Sequence, residues 1–358
     1  MNERVPGWLA APIVAIVLFA LPLPEWMVED FYSRGIFFWW QAWLTSLSNL
    51  APLAFLDVIV LGITVLCVWR VTRLVRAAKE EGILAAVWEG CRRLLRFGGF
   101  VATIFLLMWG LNYRRVPLEN AAPRSARPSV DELRGVISDA DALAARFRPS
   151  PISDAPSFEV VMQRLHQPLN AALAKLHRPP LQIAGRPKYS LLLTPFFTWA
   201  GVNGMVNPFA LETIVHPDLL PFERPFAVGH EWAHLAGTAD EAEANAIGWL
   251  ACMNGQPEFA YSASLYLIVE AGSALPPDVW REASRKLDPG IRADLDSLAR
   301  RQERQRPAVH RVAFRVYDGY LRANHVDDGL ASYSRSLSLI LSPPLREALS
   351  SYRVDRDR

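Results

Sequence analysis

The chain has 358 residues, of which 51% are hydrophobic, and a formal net charge of +2 at pH 7. Its mean hydropathy of +0.11 predicts a small membrane part joined to one sizeable globular domain. The near-neutral charge gives no indication of nucleic-acid binding. The three cysteines form no CxxC pair, so we expect no disulfide framework.

Three apolar stretches near the start of the chain are predicted to cross a membrane. They span residues 6–26, 51–69 and 94–113. The first is interpreted as an uncleaved anchor, because Pro22, Pro24 and Trp26 stand where a signal peptide would have a small-residue cleavage site. The aromatic segment 35–50 is typical of a membrane interface. Residues 1–115 are therefore expected to form the membrane region.

Charge predicts the orientation of this region. Seven Lys or Arg residues and three glutamates lie between the apolar cores of the second and third stretches, whereas the segment between the cores of the first two has a single arginine, Arg34, and three acids. The positive-inside rule puts the more basic loop in the cytoplasm and everything after Arg114 outside. We expect an inner-membrane protein whose C-terminal domain is periplasmic or extracellular. Asp57 lies within the second stretch and is a functional candidate; a carboxyl near the leaflet edge, or one packed against a neighbouring helix, is an equal alternative.

The rest of the chain is predicted to be a linker, 116–128, followed by one extracytoplasmic domain, 129–358. Ser129 and Glu132 have the spacing of a capping box, which predicts a helix to about Phe147. A second helix is predicted over 157–177, broken or kinked near its proline at 168. Short strands are expected at 181–184, at 188–194 and after a glycine-punctuated turn at 200–206. Beyond Pro225 the pattern is almost entirely helical.

His230-Glu231-Trp232-Ala233-His234 is the motif with the clearest chemical meaning. Residues four apart share a helix face, so His230 and His234 can direct two imidazoles at one point. Two imidazoles, a third ligand and an open position form a catalytic zinc site. Glu231 is placed to take a proton from metal-bound water. The alternative is a helix that carries two histidines by chance.

The third ligand is predicted to be a carboxylate just beyond the motif. Gly237 stands where a left-handed C-cap would end the metal helix. HExxHxxGxxD spacing favours Asp240, whereas Glu241 begins an ExxAN sequence close to the ExxAD of gluzincins, in which the first Glu binds metal. Asn245 would then lie one helical turn after Glu241, where it could hydrogen-bond a metal ligand. We favour Glu241, then Asp240, then Glu243.

Three further side chains are candidates for supporting the ligands or contacting substrate. Glu212 precedes the metal helix, and a salt bridge is its equal alternative. Tyr317 and Tyr333 delimit a downstream region in which we expect the donor that steadies the oxyanion of a hydrolysis intermediate. For each tyrosine alone, the alternative is a purely structural or surface role.

Five separated stretches occur together in a characteristic order. They are MWGLNYR at 108–114, NPFALE at 207–212, HEWAH with its EAEAN continuation, Tyr261-Ser262, and YDGYLRAN at 317–324. In order and spacing they resemble the bacterial membrane-protein family called domain of unknown function 3810, whose members look like membrane-anchored zinc peptidases of the gluzincin kind. The resemblance implies a shared fold and bound zinc. Its pattern includes Glu241 and Glu243 but not Asp240, which favours Glu241.

Together these patterns predict a mainly α, zincin-like metallopeptidase domain with a small β-sheet, preceded by a transmembrane helical region. We expect Zn²⁺ on His230, His234 and Glu241, with Glu231 as the general base that acts on a peptide or protein substrate. The alternative is a non-catalytic zinc-binding sensor or scaffold in the membrane. A transporter built around Asp57 is disfavoured, because three spans are few for that task. The sequence specifies neither the substrate nor the oligomeric state.

Overall fold

A computed structural model describes residues 7–118, 128–149, 155–324 and 335–351. The fold is mainly helical, with one small two-stranded sheet, which confirms the predicted balance of secondary structure. In the N-terminal part, the helical elements are α1 (Ala10–Ala20), a π-helical segment (Met27–Ile36), α2 (Phe37–Leu50), α3 (Phe55–Glu80), α4 (Ile83–Met108) and a 3-10 turn (Gly110–Arg114).

Helices α3 and α4 form a hairpin that turns at Gly82, whose φ of +90° suits a residue without a Cβ. Helix α1 packs on α4. Among the described residues, one helix, α3, is long and apolar enough to cross a membrane, and none of its residues is buried. The predicted first stretch contains the shorter α1, with 11 residues, and the predicted third stretch ends beyond α4 in the 3-10 turn.

Helix α2 has two unlike faces. Its polar face holds the globular part of the chain: Thr45 donates a hydrogen bond of 2.7 Å to the Leu211 carbonyl, and Asn49 donates one of 2.9 Å to the Ala184 carbonyl. On its other face, Trp39 and Trp43 are exposed. The segment that sequence predicts at a membrane interface therefore also carries contacts to the domain behind it.

A buried ion network joins the first 115 residues to the rest. Arg115 donates to Glu29 at 2.7 Å, and Arg178 donates to Glu243 at 2.9 Å and lies 3.5 Å from Glu29. Leu118, within the predicted linker, is buried in the same hydrophobic core as the metal helix. The two sides of the predicted boundary thus pack as one body as far as residue 118; residues 119–127 of the linker lie outside the described residues.

The remaining elements are helical apart from one hairpin. They are α5 (Val130–Phe147), α6 (Phe158–Lys175), α7 (Thr194–Ala200), β1 (Gly204–Asn207), β2 (Glu212–Val215), a 3-10 turn (Pro221–Glu223), α8 (Arg224–Leu235), α9 (Glu241–Met253), α10 (Pro257–Ser273), α11 (Pro277–Lys286), α12 (Pro289–Gln302), α13 (Pro307–Ala323), α14 (Arg335–Ile340) and α15 (Pro343–Ser351). Both bonds of the predicted capping box at Ser129 are formed. Of the break or kink predicted near Pro168, the break is wrong, because α6 continues through that residue.

The sheet is an antiparallel pair in which Gly204 lies opposite Val215 and Asn207 opposite Glu212. The strand predicted at 188–194 is wrong beyond Lys188, which makes an isolated parallel bridge to Ile214. The reason is a turn at 191–193 whose start is held by Asp57 and which leads into α7. Residues 181–184 are irregular, since their amides bond to side chains, as in Leu181 N–H to Asn170 at 2.8 Å.

Candidate metal centre

The ends of α8 and α9 position the candidate site. Helix α8 ends with two backbone bonds, from Gly237 N–H to the His234 carbonyl at 2.8 Å and from Thr238 N–H to the Ala233 carbonyl at 3.1 Å. This is the Schellman pattern, and Gly237 has the positive φ, +88°, that it requires. The predicted left-handed C-cap is therefore confirmed. It reverses the chain within a few residues and starts α9 beside the histidine face of α8.

Helices α8 and α9 cross in close backbone contact at Gly248. A Cβ on Gly248 would lie 2.8 Å from the His230 backbone nitrogen and 3.1 Å from the Gly229 carbonyl carbon. Those neighbours are backbone atoms, which cannot swing aside as a side chain can. Only glycine at 248 permits this approach, which keeps the first turn of α9 close to the imidazoles.

Three ligand atoms converge at the candidate site. His230 Nε2 and His234 Nε2 lie 3.1 Å apart, and Glu241 Oε2 lies 3.3 and 3.4 Å from them. Ligand atoms of a tetrahedral zinc site, about 2.1 Å from the metal, lie roughly 3.4 Å from one another. The triangle therefore has the size of one face of a zinc tetrahedron. Within the described part of the chain, this is the one cluster of His, Cys, Asp and Glu residues with such convergence.

Unpaired polar atoms surround the same point. His230 Nδ1 and Glu231 Oε2 are buried without a hydrogen-bond partner among the described residues. A buried polar atom without a partner costs free energy, so its persistence is a reason to look for an ion or water. His234 differs, because its Nδ1 lies 2.7 Å from the Thr238 carbonyl; donation to that oxygen leaves Nε2 free as a ligand. These atoms fit the donor set of a zinc ion.

Burial and mutual charge set the titration of these groups. Burial raises the pKa of Glu231 to about 7. Burial alone would lower the pKa of His234, but the adjacent carboxylate of Glu241 outweighs it and raises that pKa to about 9. Burial opposes ionisation of Glu241 as well, yet the two imidazoles hold its pKa well below the usual range. In the absence of metal, the Glu241 carboxylate and the His234 imidazole thus form an ion pair.

The other two candidates for third ligand serve different partners. Asp240 caps α9 by accepting a hydrogen bond of 3.1 Å from Glu243 N–H, and it forms an ion pair with Arg335. The Glu243 carboxylate accepts from Leu118 N–H at 2.6 Å and from Arg178 at 2.9 Å. Neither carboxylate belongs to the ligand triangle. The structure brings Glu241 alone of the three to the histidines.

The supporting candidates are divided between two places. Tyr317 donates a hydrogen bond to Glu241 Oε1, the oxygen that does not face the histidines. Asn245 is buried one turn after Glu241. Glu212 belongs to a separate buried cluster, in which it accepts from Lys188 at 3.0 Å and from the Leu56 amide at 2.7 Å. Tyr333 lies outside the described residues.

Three further aromatic residues lie beside the site, and sequence reasoning missed two of them, Trp109 and Tyr113. Trp109, the residue after α4, lies edge-on to His234 with ring centroids 6.3 Å apart. Tyr320 stacks on Tyr317, and its hydroxyl accepts from Tyr113 at 3.2 Å. Trp109 and Tyr113 lie at the end of the predicted third stretch, and their position in the MWGLNYR segment was the available signal for a second role.

Access to the site is narrow. The exposed fractions of the His230, His234 and Glu241 side chains are 15%, 10% and 5%. Two small cavities in the described part of the chain are lined by other residues; one of them reaches Phe37 and Ala236, the residue after α8. Of the three side chains of the triangle, that of His230 is the most exposed.

Comparison with known proteins gives a family and nothing beyond it. The model of the family described as "Protein of unknown function (DUF3810)" matches residues 32–341. No curated protein and no solved structure matches the chain. The match covers most of the sequence and includes every element of the candidate metal centre. The chain belongs to the DUF3810 family.

Proposed function

We propose that the protein is a membrane-anchored zinc-dependent metallopeptidase. The observation that carries the proposal is the ligand triangle of His230, His234 and Glu241, whose edges of 3.1 to 3.4 Å match zinc, with Glu231 beside it on α8. Zinc held by two His and one Glu leaves a fourth position open, which separates a catalytic site from a closed structural one.

Glu231 is the proposed general base. A bound zinc ion supplies a water of lowered pKa and polarises the scissile carbonyl. Glu231 then takes the proton from the attacking water and passes it to the leaving amine. In the metal-free protein, burial raises the pKa of the Glu231 carboxyl to about 7. One of its oxygens, Oε2, has no hydrogen-bond partner among the described residues, so it is available to accept a proton.

Strand β1 is the proposed support for the substrate backbone. A Cβ at Gly204, the first residue of β1, would contact the Glu231 carboxylate, so this strand passes directly beside the base. Strand β2 lies between β1 and the Lys188 bridge. Within the described residues, the outer edge of β1 therefore has no strand beside it. An extended peptide can add to that edge by backbone pairing, which would hold its carbonyl near Glu231.

Helix α3 is the proposed anchor. It has the length and hydropathy of a membrane span, and its sides are exposed. Basic residues crowd the C-terminal half of α3 and recur in α4 at Arg92, Arg93 and Arg96, toward the end of the hairpin opposite the globular part. The positive-inside rule assigns that end to the cytoplasm. The metal centre then faces the periplasm or the exterior.

The test is metal analysis of the purified full-length chain together with an unbiased peptide-library assay. We expect one zinc per chain and cleavage that a chelator abolishes and zinc restores. Glu231→Gln should keep the zinc and lose cleavage, because it removes the base and no ligand. Cleavage by the zinc-loaded Gln variant would refute the assignment of Glu231.

A non-catalytic zinc-binding sensor or scaffold is the second candidate. The observation in its favour is the low exposure of the three ligand side chains, 5 to 15%, which leaves little room for a peptide. This function needs the ligand triangle but not Glu231. Zinc bound at one equivalent, together with no cleavage of any library peptide by the wild-type protein, would select it.

A further inference from the structure

An apolar surface lies beside the first turn of α3. Its members are Leu50 and Leu53, before the helix, and the 189–193 loop, which carries Leu191 and Leu192. The exposed fractions of these four leucines are 81%, 57%, 72% and 50%. Four neighbouring leucines exposed to this degree exceed the scatter of single apolar residues on an ordinary surface, so the patch indicates contact with another apolar phase.

Asp57 fixes the 189–193 loop to α3. Its carboxylate accepts from Leu191 N–H at 2.7 Å, from Leu192 N–H at 3.4 Å and from the Ser190 hydroxyl. Asp57 lies in the first turn of α3, so the loop is held at the level where that helix begins. The acid that sequence analysis singled out thus accepts hydrogen bonds from a loop whose Leu191 and Leu192 side chains are exposed.

The length of the apolar part of α3 favours lipid as the phase that covers this surface. From Phe55 to Trp69 the helix has fifteen residues, which at about 1.5 Å per residue span roughly 22 Å. The hydrocarbon core of a bilayer is about 30 Å thick. At the far end, the guanidinium groups of Arg70 and Arg73 lie 4.8 and 5.9 Å from the Trp69 ring centre, an arrangement typical of the interface. The rest of the hydrocarbon thickness, which the apolar part of α3 does not span, is then matched by apolar residues at the Phe55 end of the helix.

The candidate metal centre lies at that same end of the hairpin. Helix α3 begins at this end and α4 finishes at it. Trp109, the residue after α4, contacts His234 of the candidate centre. Phe105, in the last turn of α4, packs on Tyr320 with ring centroids 6.0 Å apart. Tyr317, which stacks on Tyr320, donates to the ligand Glu241. Although the metal motif is far from the spans in sequence, it is adjacent to their ends in space.

We infer that the outer leaflet of the bilayer covers Leu50, Leu53 and the 189–193 loop, and that the candidate metal centre therefore lies at the membrane surface. A substrate for such a centre is a polypeptide segment next to the membrane, such as the stretch adjoining another protein's span or lipid anchor. This substrate class rests on the peptidase function and the anchoring by α3 proposed above; the position of the loop rests on the anchoring alone.

The position is tested by fluorescence quenching on the full chain in phospholipid vesicles. An environment-sensitive fluorophore is attached to single cysteines: Leu191→Cys for the loop, Asp278→Cys on the polar helix α11 as the control, and native Cys67 within α3 as the reporter of anchoring. Cys67 and Cys91 are exposed and are replaced by serine where they are not the labelled site, whereas Cys252 is buried and stays. The quenchers are lipids brominated near the headgroup and iodide in the water.

We expect the label at residue 191 to emit at shorter wavelength than the label at 278, and to lose more intensity to the brominated lipid than to iodide. The label at 278 should show the reverse. Quenching at 191 that matches the pattern at 278, while Cys67 is quenched by lipid, overturns the inference. Iodide quenching of Cys67 overturns the anchoring itself and, with it, the inference.

The substrate class is tested with a cleaved library peptide presented in two forms, free and carrying a palmitoyl chain, on the same vesicles. We expect the palmitoylated form to be cleaved faster by the vesicle-bound protein but not by the protein in detergent, where no bilayer aligns the two. Equal acceleration in detergent, or none in either setting, overturns the substrate class. If no peptide of any form is cleaved, the peptidase proposal fails while the fluorescence result still decides the position of the loop.

Discussion

Tyr317→Phe tests whether the tyrosine beside the ligand carboxylate holds it in place. The change removes one hydroxyl, which donates to Glu241 Oε1, and leaves the ring that stacks on Tyr320. A hydrogen bond to a charged group contributes about 1.5 to 3 kcal/mol. Loss of a residue that hydrogen-bonds a metal ligand typically weakens metal affinity about 10- to 100-fold. At about 1.4 kcal/mol per tenfold, this loss agrees with the free energy of the hydrogen bond.

We therefore expect the zinc dissociation constant of Tyr317→Phe to rise about 10- to 100-fold. The measurement is competition against a chromophoric zinc chelator. Tyr320→Phe is the matched control, because its hydroxyl bonds to Tyr113 at 3.2 Å rather than to a ligand. Thermal unfolding of the metal-free variants separates loss of affinity from loss of fold. Equal affinities for wild type and Tyr317→Phe, or an equal loss in both variants, would refute the positioning role.

Two further predictions concern the helix crossing and the buried ion network. Gly248→Ala should lower the free energy of unfolding by about 1 to 3 kcal/mol, because its Cβ would lie 2.8 Å from the His230 backbone nitrogen. Gly135→Ala, on α5 with open space at its Cβ, should stabilise by up to about 1 kcal/mol in the same urea titration, and the opposite order would contradict the packing. Burial alone would raise the pKa of Glu29, but Arg115 outweighs it and the net shift is downward from 4.5. The ionised Glu29 therefore contributes its full stabilisation above pH 4.5 and loses it as the pH falls through the lower pKa of the folded state. The difference in unfolding free energy between wild type and Glu29→Gln should be constant from pH 6 to 8 and shrink in acid. A difference that grows in acid would contradict the ion pair between Glu29 and Arg115.

Local signals in the sequence predicted the elements that local forces form. The Ser129 capping box and the Gly237 C-cap depend on backbone bonds within a few residues, and both are present as expected. The strand expected at 188–194 failed for the opposite reason. Its turn is set by Asp57, more than 130 residues away, and no pattern within the segment carries that information.

The sequence predicted only those parts of the candidate site that local helix geometry determines. Helical spacing placed His230 and His234 on one face, but it could not choose among Asp240, Glu241 and Glu243. The choice follows from where α9 begins, since an N-cap at Asp240 directs Glu241 to the histidines and Glu243 to Arg178. The contribution of Trp109 could not be found from spacing at all, because it arises from packing between the end of α4 and α8.

Zinc content of matched variants shows whether His230, His234 and Glu241 hold one zinc ion. Wild-type protein, Glu241→Gln and Asp240→Asn are loaded with zinc, dialysed together and analysed for metal per chain. We expect one zinc in wild type and in Asp240→Asn, and loss of most of it in Glu241→Gln. Wild-type protein without zinc, or zinc that survives in Glu241→Gln but leaves Asp240→Asn, would contradict this expectation.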